Sequence, residues 1–141
     1  MPSVNIYIEC GITGIKPGNG KIVVVIEFVA SNGKTATKNL FKDVTNCTVK
    51  EAVLLGLIYA IQQLNKPCEV FVYISDRYVY ETLQNNRIET WKENNWMNAK
   101  GKLVAYKELW QQYDKFSDYH QVWACFNVHH SYMDWMRAQF I

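Results

Sequence analysis

A chain of 141 residues, 49 % hydrophobic and 20 % charged, has the material for a single domain spanning residues 1–141 and is not a disordered chain. Its net charge of +2 is too small to mark a nucleic-acid binder by charge alone, and no apolar run approaches the roughly 20 residues of a membrane span. Cys10, Cys47, Cys68 and Cys125 form no C-x-x-C pair, so their spacings suit no zinc site and they read as buried, reduced thiols.

The opening MPSVNIYIE has neither a basic n-region nor a signal-like apolar run, so a cytoplasmic protein is expected. Val4, Ile6 and Ile8 alternate with Asn5 and Tyr7, the period of a half-buried strand that ends at Glu9. The glycine-rich segment 11–21 predicts a loop. Residues 22–30, apolar and β-branched, predict a central strand. SNGK is a hairpin turn with Asn-Gly at its centre, and 35–41 is the return strand.

The pattern then changes. Val49, Val53, Leu57 and Ile61, with Leu54, Ile58 and Leu64, recur at helical spacing until Pro67. Thr48 with Glu51 three residues later fits a capping box. EVFVYIS (69–75) predicts a fourth, buried strand ending at Asp76. Helical pattern broken by polar turns follows, with an amphipathic helix at 103–116, a fifth strand at 121–128 and a terminal helix at 131–141. The order β-β-β-α-β-α-α-β-α gives an α/β fold: a mixed five-stranded sheet, three antiparallel strands then parallel ones, flanked by helices.

Glu9 and Asp76 end strands one and four. If those strands are parallel neighbours, the two carboxylates face each other at one sheet edge. Asp134 lies in the terminal helix, close after His129 and His130. Three gathered carboxylates repel one another unless a divalent metal holds them, and oxygen-only ligands favour Mg²⁺ or Mn²⁺. Each acid also has an ordinary reading: Asp76 as the cap of the next helix, Asp134 as a solvated helix residue, Glu9 as a strand-edge residue in water.

Three passages resemble type 1 ribonuclease H, over nearly the full chain. TNC (45–47) resembles the family's motif before its first helix. YISDRYV (73–79) resembles its strand-four end. WKENNWMNAKGKLVAYKELW (91–110) resembles its tryptophan-rich protrusion, with Trp91, Trp96 and Trp110 in the spacing W-x₄-W-x₁₃-W. The resemblance implies a ribonuclease H-like fold and Mg²⁺-dependent (or Mn²⁺-dependent) endonucleolytic cleavage of the RNA strand of RNA–DNA hybrids, by a protein expected to act as a monomer. It implies catalytic roles for Glu9, Asp76, Asp134 and His129 (or its neighbour His130), the three acids being the metal ligands. It also implies nucleic-acid contacts from Thr45 and Asn46, with Lys92, Lys100 and Lys102 on the protrusion.

Departures from the family pattern are specific. Glu9 stands where the family has an aspartate. A fourth acid belongs on the first helix, where ungapped counting from either side gives Val53 or Lys50. Glu51 can serve as a metal ligand only if the helix start shifts register. The protrusion is less basic than is usual, which predicts weak, salt-sensitive binding. Its three tryptophans are expected to pack in the core rather than stack on bases.

Overall fold

The computed structural model describes residues 1–140. Five strands form one sheet: β1 (Ser3–Cys10), β2 (Gly18–Val29), β3 (Thr35–Cys47), β4 (Glu69–Ile74) and β5 (Gln121–Phe126). Their order is β3-β2-β1-β4-β5. The first three strands are antiparallel neighbours, and β4 joins β1, then β5 joins β4, in parallel. Five helices complete the chain: α1 (Val49–Gln62), α2 (Arg77–Gln84), α3 (Arg87–Glu93), α4 (Lys107–Ser117) and α5 (Met133–Ala138). No helix among the described residues is long and apolar enough to cross a membrane.

Several boundaries differ from the pattern-based expectation, each for a physical reason. The glycine-rich loop is shorter than 11–21, because β2 begins at Gly18 and crosses an irregularity between Gly18 and Gly20. β3 runs on beyond Phe41 to Cys47, because β2 supplies a pairing partner along its whole length. Its side chains are mostly exposed, so hydrophobic alternation could not mark it. The helix expected from 103 starts at Lys107, since Tyr106 has φ 58° and the N–H of Val104 bonds back to Trp96. β5 stops at Phe126, where Asn127 turns to φ 52°. Of the helix expected over 131–141, the described part is α5, and Ile141 lies outside the described residues.

Strand alternation sorts side chains onto two faces. Val4, Ile6 and Ile8 of β1 meet Leu54, Leu57, Ile58 and Ile61 of α1 in the main core, with Val70 and Val72 of β4. The other face carries Tyr7, Val23 and Val25, covered by Met136 of α5. Gly56 lets α1 lie tightly on the sheet: a Cβ there would lie 2.9 Å from Ile8 Cγ2 and 3.0 Å from Ile22 Cγ2. Overpacking costs about 1–3 kcal/mol, while the gain in helix propensity over glycine is only about 1 kcal/mol. Gly56→Ala is therefore expected to destabilise the fold by up to about 2 kcal/mol, read as a lower urea midpoint at unchanged slope.

A buried histidine ties β4 to β5. His120 is 8 % exposed and its Nδ1 accepts the N–H of Cys68 at 3.0 Å. Burial lowers its pKa from 6.5. The unfolded chain then takes up a proton near the ordinary value that the folded protein refuses until lower pH. This contribution is complete above about pH 6.5 and is lost as pH falls below it. His130, lowered by burial, by His129 and by Arg137, adds in the same direction. In His120→Asn, which keeps an acceptor for Cys68, part of the acid-side loss of stability should vanish between about pH 7 and pH 5 in urea titrations. An unchanged pH profile would rule His120 out as a source.

Candidate active site

β1 and β4 pair in parallel up to Tyr7 opposite Tyr73. Two residues further along β1 lies Glu9, level with Ser75, and Asp76 follows. The strand registry therefore brings Glu9 and Asp76 to the same sheet end. Glu9 pairs with Val23 of β2 and has one more strand residue, Cys10, beyond it. The Cys10 thiol is pushed up by burial, against a lowering from a backbone hydrogen bond with Ile12, and then by both Glu9 and Asp76. One thiol thus feels both carboxylates.

Each acid has a local duty. Asp76 caps α2, its Oδ2 accepting the N–H of Val79 at 2.9 Å. The Glu9 side chain is 12 % exposed, and its Oε1 accepts from Nε of Arg137 at 2.9 Å. Sequence reading does not single out Arg137. The available signal is weak: a lone cation in the last turn of α5, three residues after Asp134.

The resemblance places Asp134 beside Glu9 and Asp76 as a third ligand. Among the described residues, no three His, Cys, Asp or Glu side chains stand close enough to hold one metal ion. Asp134 lies in the first turn of α5 with its side chain exposed. Glu51 has local partners of its own. Its backbone N–H is capped by Thr48 Oγ1 at 3.1 Å, and its carboxylate lies by Cys47, whose thiol is pushed up to about 12 by burial first and Glu51 next. Val53 is 4 % exposed within the core.

The donor set therefore fits less than a two-metal cage. Mg²⁺ is commonly held by one or two carboxylates and keeps several waters. Glu9 and Asp76, brought to one sheet end, are the two carboxylates that would answer that demand for one hydrated ion. Lys50 lines the same cavity as Asp76, Thr48 and Tyr106, of about 440 Å³. Its ammonium sits 5.7 Å from the Tyr78 ring centre. A cation on the same cavity wall as Asp76 opposes the binding of further cations there.

The two histidines separate. His129 is exposed. His130 turns inward: its ring lies 4.3 Å from that of Tyr7, and its Nδ1 accepts the N–H of Tyr132 at 3.2 Å. Tyr132 hydroxyl donates to Glu27 Oε2, and Asn5 donates to Glu27 Oε1 at 2.8 Å. Glu27 raises Tyr132 to about 12, mainly through that hydrogen bond.

Thr45 and Asn46 lie exposed at the end of β3. Asn46 has φ 48° and its N–H donates to Asn19 Oδ1 at 2.9 Å. Thr45 also lines a cavity of about 550 Å³ with Gly11, Lys21 and Phe140. On the protrusion, Lys92 is engaged by Asp114 at 3.3 Å and Glu89 at 3.6 Å. Lys100 and Lys102 are exposed on a loop whose backbone N–H groups both bond Asn98 Oδ1. The tryptophans pack as expected: Trp110 is fully buried, with Trp91 at 6.0 Å from it and Trp96 at 6.2 Å from Trp91 between ring centres.

Comparison with known proteins bears on this arrangement. A family model described as RNase H matches residues 2–133. A ribonuclease H of Acetivibrio thermocellus is 30 % identical over 122 residues, covering 86 % of this chain and 79 % of that protein. The crystal structure of LC9-RNase H1, a type 1 RNase H with the type 2 active-site motif, superposes with a TM-score of 0.77 at 15 % identity, over 99 % of this chain and 71 % of that one. A foamy viral protease-reverse transcriptase in complex with an RNA/DNA hybrid superposes with a TM-score of 0.69 at 12 % identity, over 94 % of this chain and 18 % of that one.

Proposed function

This chain belongs to the ribonuclease H family, and from that premise we propose that it hydrolyses the RNA strand of RNA–DNA hybrids at the sheet end where Glu9 and Asp76 meet. Its family and fold are those of a ribonuclease H-type nuclease. The observation that carries the finer reading is the parallel pairing of β1 with β4, which gathers two acids from distant parts of the sequence.

Each residue's task follows from its place. Glu9 and Asp76 would hold one Mg²⁺ (or Mn²⁺). When bound, that ion would neutralise charge building on the scissile phosphate and orient an attacking water. Lys50, on the cavity wall beside Asp76, attracts the phosphate and positions it against the acids. Thr45 and Asn46 offer a hydroxyl and an amide to the hybrid's backbone and minor groove, where 2′-hydroxyls mark RNA. Lys100 and Lys102 add phosphate contacts that salt weakens. His129, exposed before α5, is placed to exchange protons with solvent as product leaves.

A second reading has its own support. Val53, one of the two positions where the family's helix acid would fall, is buried, and Arg137 already engages Glu9. These favour a protein that binds hybrid without cutting it. A labelled hybrid incubated with Mg²⁺ and Mn²⁺ separately decides between them. Cleavage supports hydrolysis, salt-sensitive binding without cleavage supports the second reading, and no binding at low salt overturns both.

A further inference from the structure

We propose that Arg137 holds the place on Glu9 that a divalent cation would take, so that the ion pair and metal loading exclude one another. This rests on reading Glu9 and Asp76 as the metal-binding pair. The guanidinium Nε lies 2.9 Å from Glu9 Oε1. A carboxylate only 12 % exposed requires a compensating charge, and Arg137 is the cation that supplies it.

The placement of the helix brings the contact within reach. α5 is anchored at its start by the Tyr132 hydroxyl on Glu27 and in its middle by Met136, which is fully buried on the sheet. With the helix so fixed, Arg137 in its last turn reaches Glu9. Asp134 sits three residues earlier on the same helix, yet the ion pair formed is with Glu9.

The two partners are unequal. The Arg137 side chain is 54 % exposed, so it can swing into water at little cost. Glu9 has no such freedom and must exchange one cation for another. A divalent ion approaching Glu9 meets the guanidinium as a like charge at close range, which weakens its binding until the arginine withdraws. Arg137 is thus a positioning residue that keeps Glu9 in place and neutralised between loadings.

Metal binding without nucleic acid tests this directly. Mn²⁺ affinity is measured by water-proton relaxation, and Mg²⁺ affinity by calorimetry, on the full chain and on Arg137→Gln and Arg137→Lys. Arg137→Gln should bind about tenfold more tightly, the effect of removing one nearby positive charge. Arg137→Lys should bind no more tightly than the parent. Equal, measurable affinity in all three overturns the competition and leaves the acidic pair standing. Arg137→Lys matching Arg137→Gln overturns it as well, since charge would not then be the obstacle. If none of the three binds either ion, the metal-binding pair falls, and the inference with it.

Discussion

Asp76→Asn will fold as well as the parent and lose at least about a hundredfold in hybrid cleavage. The two effects separate because Asp76 has two tasks. As the cap of α2 it needs only an oxygen that accepts the Val79 N–H, and asparagine caps about as well as aspartate. As a member of the acidic pair it needs a negative charge, which asparagine lacks. Loss of one such electrostatic group from a reaction centre is commonly worth about 10²–10³ in rate. Asp76→Ala removes both tasks and should add about 1 kcal/mol of instability. Urea denaturation beside cleavage assays in Mg²⁺ and Mn²⁺ measures the pair of effects. Full activity in Asp76→Asn would remove Asp76 from the centre.

Trp110→Ala should give the largest loss of stability, about 3–5 kcal/mol. That is a large share of the roughly 5–15 kcal/mol holding a typical domain together. Trp110 is fully buried, and its Nε1 donates to the Tyr78 hydroxyl at 3.0 Å. Its ring meets those of Trp91, Tyr78 and Tyr113. The residue therefore joins α4 to α2 and to the protrusion. Trp110→Phe keeps most of the apolar volume but leaves Tyr78 without its donor, so a loss nearer 1–2 kcal/mol is expected. Thermal and urea midpoints of both variants check this. A small effect from Trp110→Ala would mean that the aromatic cluster is not what secures the protrusion.

The sheet was readable because its interior strands obey simple rules. Val4, Ile6 and Ile8 alternate, and residues 22–30 are apolar throughout, so β1 and β2 announce themselves. α1 shows both its period and its cap, and Thr48 indeed receives the N–H of Glu51. β3 was half hidden because an edge strand with exposed side chains has no hydrophobic pattern to show. The site was legible to the extent that strand ends define it: Glu9 and Asp76 follow from strand order. Asp134 and Glu51 are harder to place from sequence, because joining acids in space depends on the rotation of a helix, and one or two positions turn a side chain away. Arg137 escaped notice because an ion pair between a terminal helix and a first strand leaves no local signature.

The parallel neighbouring of β1 and β4 has a consequence for the order of events in folding. β1 and β2 are joined by a short segment and can pair early, as local contacts do. β1 gains its other neighbour only after all of β3 and α1 have been passed, and closing so long a loop is slow. The acidic pair therefore comes into being late, when the last non-local pairing is made. Until then Glu9 is a solvated carboxylate at the end of a hairpin, and a partly folded chain has not yet brought the two acids together.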